Sequence, residues 1–328
     1  MWFEKLTGFE EKNPEQVRSL LNHEGEFLIS KVNGGKFVAG QLITPTLFEL
    51  RSCLKPARDS SHIRVTEIVG NIQEFLSSSE NEGAVFQVAS QFNLLEMSSP
   101  DISPEMGVDR YENDPTQGPA CAIACGAGTI YRNYFMDLGT QIGQTERSQF
   151  NCLEEIEKCL ENYWEFKNGY ILSDEKRLHQ FNELISKLSM NECDELFSKL
   201  RVGIQKNTQV TLNKELQLVT QIFCSAVPIS YSRCSHDLWE VLAKGILKAT
   251  YESTFLAALQ NCSQGKSNKL FLTYVGAGAF GNPIEWVIDA MEHSIAKYKD
   301  YPLDVFIVSY RQPNMHTEEL LQRLNKIL

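Results

Sequence analysis

The sequence has 328 residues, of which 42% are hydrophobic and 22% are charged, so it is long and apolar enough for one large globular domain or two small ones. Its formal net charge of −11 would repel a polyanion, which argues against nucleic acid as a partner. No run of about 18 apolar residues predicts a transmembrane helix, and the N-terminus lacks the basic and apolar regions of a secretory signal.

Cysteine spacing argues against a structural metal. There are nine cysteines, and Cys121 and Cys125 are four positions apart within an alanine-rich run. A zinc site would need a second pair or histidines at ligand spacing, and the six histidines supply neither. The pattern is typical of buried thiols in a reducing compartment, so we expect a cytoplasmic protein without a metal or other cofactor.

Residues 1–60 are predicted to form an ordered N-terminal extension, and residues 61–328 the main domain. Apolar runs on both sides of residues 33–35 (Asn-Gly-Gly) predict a hairpin in the extension. A strand is predicted over residues 63–69 and a short helical piece over 72–76. The compact apolar run at residues 84–89 predicts a further strand that is fully buried.

The middle of the chain reads as a long loop followed by helices. Residues 98–119 are polar and contain prolines, and loops of this length within a compact domain are often functional. Residues 120–135 have helical character. Apolar residues at helix spacing continue from 145 to 201, and they predict a helical insertion at about 145–210.

Strands and helices alternate in the C-terminal third. Strands are predicted at residues 219–226, 270–275 and 304–310, and helices at 238–259, 284–298 and 317–328. This alternation predicts an α/β fold of three layers, α/β/α, around a mixed, largely parallel sheet.

One turn in this region has the composition of an anion site. Residues 276–281 read Gly-Ala-Gly-Ala-Phe-Gly between a strand and a helix, with Asn282 predicted as the N-cap and Pro283 as the first helical residue. Small residues let a ligand approach the backbone, and the start of a helix offers free N–H groups. The alternative is a tight turn without a ligand. The G-x-G-x-x-G spacing also occurs in dinucleotide-binding domains, although it lies too near the C-terminus for a second half of such a domain.

Three segments together resemble the macrodomain superfamily. Residues 69–72 resemble its strand-end Gly-Asp-Ile, with Asn71 in place of the aspartate. Residues 85–97 resemble the strand and loop that lead to the distal ribose, and residues 276–281 resemble the second phosphate loop. The phosphate loop and Phe280 are closest to the poly(ADP-ribose) glycohydrolase-like branch. Along most of its length the chain also resembles microbial effector-type ADP-ribosylhydrolases, at residues 86–96, 110–122, 126–134 and 221–226.

The resemblance implies a ligand, ADP-ribose, and a set of residues that bind it. It implies adenine contact by Asn71, ribose contact by Gln91 or Asn93, and diphosphate contact by the glycine-rich turns. The implied ligand-binding residues are Asn71, Gln91, Asn93, Gln117, Gly118, Gly126, Gly276, Ala277, Gly278, Ala279, Phe280 and Gly281. The glycine run that usually follows the ribose asparagine is missing, and residues 95–97 (Leu-Glu-Met) stand in its place.

Carboxylates near the distal ribose are the candidate catalytic groups. Cleavage at the ribose C1″ passes through an oxocarbenium-like state, which carboxylates stabilise while they orient or deprotonate a water. Glu96 and Asp114 are the first candidates, Asp109 is the second choice and Asp101 a weaker one. The alternative for each is a solvated loop charge.

The resemblance therefore implies an ADP-ribosylhydrolase that removes ADP-ribose from a modified protein side chain, with arginine-linked substrates preferred. We expect it to act as a monomer in the cytoplasm, or in the cytosol of a host if it is a secreted effector. A non-catalytic ADP-ribose reader is the first alternative, and an NAD-dependent oxidoreductase is the second.

Overall fold

The structure is a computed structural model that describes residues 1–54, 62–160 and 162–328. Its strands are β1 Leu21–Glu24, β2 Phe27–Ser30, β3 Lys36–Val38, β4 Gln41–Ile43, β5 Arg64–Val69, β6 Val85–Ala89, β7 Glu165–Lys167, β8 Tyr170–Leu172, β9 Gly203–Gln209, β10 Leu218–Cys224, β11 Lys269–Leu272 and β12 Asp304–Ser309. Its helices are α1 Trp2–Thr7, α2 Pro14–Leu20, α3 Leu47–Ser52, α4 Ile72–Ser77, α5 Gln117–Ala124, α6 Gly126–Tyr134, α7 Glu154–Glu157, α8 Glu175–Ser186, α9 Met190–Phe197, α10 His236–Ser263, α11 Ile284–Lys297 and α12 Met315–Leu324.

A central sheet runs through the molecule in the order β4-β9-β10-β6-β11-β12-β5. The neighbours from β10 to β5 pair in parallel, whereas β9 pairs antiparallel with both β10 and β4. Strand β6 is buried along almost its whole length, as expected for a parallel strand covered on both faces. The mixed, largely parallel sheet predicted from the sequence is confirmed.

Helices cover both faces of this sheet. Consecutive residues of a strand point to opposite faces, and two neighbours in β10 show what lies on each side. Thr220 hydrogen-bonds Asn261 of α10, whereas Gln221 donates to the backbone oxygen of Cys121 in α5. The three-layer arrangement predicted from the sequence is therefore present, with α10 in one outer layer and α5 in the other.

The N-terminal residues form a small sheet of their own and also add one strand to the central sheet. Strands β1 to β3 make an antiparallel sheet, with the predicted turn at residues 33–35, and β4 pairs with β9 at the edge of the central sheet. Helix α1 packs on the loop that follows β6 through a buried apolar cluster, whose members include Trp2, Phe3, Leu6, Leu95, Met97 and Tyr111. The predicted boundary between residues 60 and 61 lies outside the described residues.

The predicted helical insertion is corrected in two places. Residues 165–172 form the antiparallel hairpin β7–β8, whose turn at Asn168 and Gly169 has positive φ values of 47° and 81°. Residues 203–209 form β9 and belong to the central sheet. Helices α8 and α9 do lie within the insertion, so the helical periodicity was interpreted correctly for those segments.

None of the helices in the described ranges is both long enough and apolar enough to cross a membrane.

Candidate functional site

A cleft lies along the edge of the sheet where the parallel strands end, which is where open α/β sheets usually bind ligands. It consists of a wide cavity of about 1070 Å³ and a narrow cavity of about 160 Å³. Residues that line both cavities show that the two are continuous: Asp114, Thr116, Gln117, Thr273, Tyr274 and Gly278.

The glycine-rich turn forms one wall of this cleft. Gly276 has a φ of 80°, and a Cβ there would lie 2.4 Å from the Cβ of Ala226, so only glycine fits. By contrast, a Cβ on Gly278 would meet no described atom within 4 Å, because this position faces the open cleft. The turn therefore presents bare backbone to both cavities at Gly278.

Asn282 closes the turn and does not cap the helix. Its side-chain amide donates to the backbone oxygens of Val227 (2.8 Å) and Gly276 (3.1 Å), while α11 begins at Ile284 with Pro283 at the N-cap. The prediction that Asn282 is the N-cap is wrong, because this amide is used to hold the two ends of the turn together.

The N-terminus of α5 faces the glycine-rich turn across the cleft. Thr116 is its N-cap, but the hydroxyl group donates to Asp114 (2.7 Å) and makes no capping bond among the described residues. A Cβ on Gly118 would lie only 2.0 Å from the backbone oxygen of Ala89, so this glycine lets α5 approach the end of β6. Gly118 lines the narrow cavity, as the sequence predicted for a ligand-binding position.

Gln117 holds α5 against β6. Its side-chain oxygen accepts a hydrogen bond from the Ala89 N–H (3.0 Å), and its amide nitrogen donates to the Gln87 backbone oxygen (2.8 Å). Gln117 lines both cavities as predicted, but its polar atoms bind the neighbouring strand. It therefore positions the start of α5.

Glu96 is the buried acid of the site. Only 2% of its surface is exposed, it lines the narrow cavity, and neither carboxyl oxygen has a hydrogen-bond partner among the described residues. Burial raises the pKa of Glu96 to about 8, an increase to which nearby Asp114 adds, whereas the charge of Arg132 opposes it. Such a carboxyl group, placed in a cavity and without a protein partner, is a candidate for proton transfer.

Two groups fix the backbone that leads into Glu96. The Tyr111 hydroxyl accepts a hydrogen bond from the Glu96 N–H (3.0 Å). The buried Arg132 guanidinium donates to the Leu94 backbone oxygen (3.0 Å) and stacks 3.5 Å from the ring centre of Phe223. Arg132 therefore holds the turn that follows β6 in place, and its positive charge lowers the pKa of Glu96.

Of the other predicted acids, the structure brings Asp114 to the cleft but not Asp109. Asp114 lines both cavities, and its Oδ1 accepts hydrogen bonds from the N–H (2.9 Å) and the hydroxyl group of Thr116. Asp109 lines neither cavity among the described residues, and its Oδ1 accepts from the Phe3 N–H in α1 (3.2 Å). The structure therefore corrects the choice of Asp109, because its carboxylate anchors α1. Asp101 is exposed and pairs with Lys167.

Of the two predicted ribose contacts, only Gln91 faces the cleft. It lines the narrow cavity, and its buried Oε1 has no partner among the described residues. The side chain of Asn93 instead donates to Gln149 (2.8 Å) and accepts from the Leu95 N–H (3.2 Å). Asn93 therefore stabilises the loop, and its prediction as a cleft residue is corrected.

The remaining predicted positions also fall into two groups, those that line one of the cavities and those that do not. Asn71 lines the wide cavity while its Oδ1 caps α4 through the Gln73 N–H (3.0 Å). Ala279 and Phe280 line the narrow cavity. Ala277, Gly281 and Gly126 lie outside the described lining of both cavities, so their part in ligand binding stays a prediction. A Cβ on Gly126 would meet Trp2 of α1, and one on Gly281 would meet Ser230.

Several aromatic residues of the cleft were not predicted from the sequence. Tyr274 and Tyr310 follow β11 and β12, so their position after parallel strands was a usable signal. Tyr170 and Tyr231 come from the insertion and from the segment before α10, and both reach the narrow cavity. No local pattern marks these two residues, because their place in the cleft depends on how distant segments pack.

The ionisable carboxyl groups that line the narrow cavity have no basic counterpart in its described lining. Glu96 and Asp114 line it, and no lysine or arginine occurs among its described lining residues. The described residues also contain no cluster of histidine, cysteine and acidic side chains placed to hold a metal ion. An anion in this cleft would depend on backbone N–H groups, whereas a cation would meet the Asp114 carboxylate.

No family model matches the sequence, and no curated protein matches it. Among solved structures, the chain is similar to poly(ADP-ribose) glycohydrolase from Deinococcus radiodurans in complex with ADP-ribose, with 11% identity and a TM-score of 0.47 over 88% of this chain and 95% of that one. The Thermomonospora curvata glycohydrolase matches with 14% identity and a TM-score of 0.47 over 94% of this chain and 97% of that one. Its complex with the inhibitor ADP-HPD matches with 11% identity and a TM-score of 0.40 over 95% and 97%.

Proposed function

We propose that this protein is an ADP-ribosylhydrolase. The observation that carries the proposal is Glu96, a buried carboxyl group without a partner among the described residues, in the same cavity as the glycine-rich turn. A buried polar group without a partner is costly to a protein, and it is expected where a substrate will supply the missing hydrogen bonds.

The cleft offers a place for each part of ADP-ribose. The diphosphate would lie between Gly278 and the start of α5, where bare backbone and a positive helix end favour an anion. The adenine would enter the wide cavity beside Asn71, and the distal ribose would enter the narrow cavity beside Gln91 and Glu96. This placement brings C1″ of the distal ribose near the two carboxyl groups.

The proposed reaction is hydrolysis at C1″. The bond between C1″ and the side-chain atom breaks, and its electron pair leaves with the side chain, which takes a proton from Glu96. A water oxygen bonds to C1″ and gives a proton to the Asp114 carboxylate. Asp114 then releases this proton to solvent, and Glu96 takes one up from solvent, which restores both groups for the next turnover. A pKa of about 8 keeps Glu96 protonated at neutral pH, which suits the donor role.

We further propose arginine-linked ADP-ribose as the preferred substrate. A guanidinium group attached to the ribose would meet the Asp114 carboxylate, and no lysine or arginine of the described lining would repel it. The negative charge of Asp114, opposite to that of the linked group, is the support for this preference.

The test measures release of ADP-ribose from arginine-, serine- and glutamate-linked substrates. The wild-type protein should release it fastest from arginine, and Glu96→Gln and Asp114→Asn should each lower turnover by roughly a hundredfold or more, the usual contribution of a proton-transfer group. Asp101→Asn is the matched control from the same loop, because Asp101 is exposed and lies outside the described lining of both cavities.

Calorimetry separates the competing functions. An enzyme variant such as Glu96→Gln should still bind ADP-ribose within about tenfold of the wild-type affinity, because the backbone contacts remain. If the wild-type protein binds ADP-ribose and releases none from any linkage, it is a reader. Tight binding of NAD with no binding of ADP-ribose would contradict both.

A further inference from the structure

Glu11 joins two segments that lie 98 and 123 residues further along the chain. Its Oε2 accepts a hydrogen bond from the Asp109 N–H (2.7 Å), and its Oε1 accepts one from the Tyr134 hydroxyl group (2.7 Å). Gly107 makes room for this carboxyl group, because it has a φ of 88° and a Cβ there would collide with Glu11. The first bond uses the backbone of Asp109, so it is separate from the contact between the Asp109 side chain and α1.

The loop that Glu11 holds connects the two candidate catalytic acids. The 3₁₀ turn Asp109–Asn113 contains Tyr111, whose hydroxyl group accepts a hydrogen bond from the Glu96 N–H (3.0 Å). The turn ends at Asp114, whose N–H donates to the Tyr111 backbone oxygen (3.1 Å). A shift of this turn would therefore move both carboxyl groups relative to the distal ribose.

The second partner of Glu11 lies on α6, which also supports the backbone before Glu96. Tyr134 and Arg132 both belong to this helix, and Arg132 donates to the Leu94 backbone oxygen in the turn after β6 (3.0 Å). One carboxyl group thus connects the two supports of Glu96, the hydroxyl group on the 3₁₀ turn and the guanidinium group on α6.

We propose that Glu11 is a positioning residue for the hydrolysis, because it holds Glu96 and Asp114 in the relative position that the reaction needs. This inference rests on the proposed function, and it gives the N-terminal segment a part in turnover. Glu11 lies outside the described lining of both cavities, so it acts through the loop that it holds. Binding of the diphosphate should not depend on it, because Gln117 and Gly118 fasten α5 to β6.

The test separates turnover from binding. Glu11→Ala should lower kcat by roughly tenfold to a hundredfold, since a misplacement of about 1 Å has a cost of that size. Its affinity for ADP-ribose, measured by calorimetry, should stay within about threefold of the wild-type value. Tyr134→Phe removes only one of the two bonds and keeps the ring, so it should fold normally and lower kcat by about threefold to tenfold.

Two control variants come from the same segment. Glu10→Ala replaces the exposed neighbour of Glu11 and should keep the wild-type kcat. Ser30→Ala removes a buried hydrogen bond to the Thr7 backbone oxygen (2.6 Å), so it should lower the melting temperature without lowering kcat. An unchanged kcat in Glu11→Ala, or an equal fall in Ser30→Ala, would overturn the role of Glu11.

A double-mutant cycle checks whether Glu11 acts through Tyr111. Tyr111→Phe removes the acceptor of the Glu96 N–H and should lower kcat by itself. Added to Glu11→Ala, it should lower kcat by less than about twofold further, because both changes loosen the same support. Losses that multiply in full would contradict the proposal.

Hydrogen exchange makes the outcome independent of turnover. The backbone N–H of Glu96 should exchange about tenfold faster in Glu11→Ala than in the wild-type protein, Glu10→Ala or Ser30→Ala, because its acceptor is no longer held in place. Exchange at the wild-type rate would overturn the proposal. If the wild-type protein hydrolyses no linkage, the proposed function fails, while this exchange rate still decides whether Glu11 positions Glu96.

Discussion

Replacing Glu96 with glutamine should make the protein progressively more stable than wild type as the pH rises from 5 to 8. Burial raises the pKa of Glu96 from its usual 4.5 to about 8 in the folded protein. Glutamine has nearly the same shape as the protonated acid but does not ionise. The comparison therefore isolates the cost of ionising this carboxyl group inside the cleft.

The sign follows from proton binding. Between pH 4.5 and about 8 the folded protein keeps the proton on Glu96, whereas the unfolded chain has released it. The contribution of Glu96 to stability is therefore complete below the unfolded pKa and falls as the pH rises, by about 1.4 kcal/mol for each pH unit. Over the whole window this gives an upper limit of roughly 4 to 5 kcal/mol, because relaxation around an ionised group reduces the cost.

Urea unfolding at pH 5, 6.5 and 8 measures this effect. The stability of Glu96→Gln minus that of the wild type should increase at each step and change little above about pH 8.5. Glu285→Gln is the control, since this exposed acid lies on α11 away from the lining of the narrow cavity, and its difference from wild type should stay nearly constant. A difference for Glu96→Gln that is flat or decreases from pH 5 to 8 would refute the reasoning.

Two further substitutions test other parts of the cleft. Gly278→Ala should leave the thermal stability unchanged, because its new methyl group meets no described atom within 4 Å, but should weaken ADP-ribose binding by roughly tenfold through contact with the diphosphate. Calorimetry that gives the wild-type affinity would place the diphosphate elsewhere. Asp109→Ala should lower the free energy of unfolding by about 1 kcal/mol through loss of the Phe3 N–H bond, with turnover retained. Loss of turnover at unchanged stability would restore Asp109 as a catalytic candidate.

The fold was largely predictable because its strands are short apolar runs that end at recognisable turns. The predicted strands at 84–89 and 304–310 correspond to β6 and β12, and the glycine-rich turn lies between β11 and α11 as expected. The hairpin β7–β8 was missed although Asn168-Gly169 is a strong turn signal. Its strands have only three residues each, so helical periodicity on both sides of them dominated the interpretation.

The site was less predictable, and the reason differs between residues. Glu96, Asp114 and Gln91 line the narrow cavity, and the first clue to Gln91 and Glu96 was their place in the loop after the buried strand β6. Asn93 and Asp109 were misplaced because the direction of a loop side chain depends on partners far away in sequence, here Gln149 and Phe3. Tyr170 and Tyr231 reach the cleft through segments that carry no binding signal of their own.

The close contact between Gly118 and Ala89, together with the amide of Gln117, makes the start of α5 and the end of β6 a single rigid piece. The facing wall includes Tyr231, which is 37% exposed and whose hydroxyl donates to the Ser98 backbone oxygen. Engineering a different substrate preference would therefore begin with this outer residue, which can be exchanged without disturbing the interlocked helix and strand beneath it.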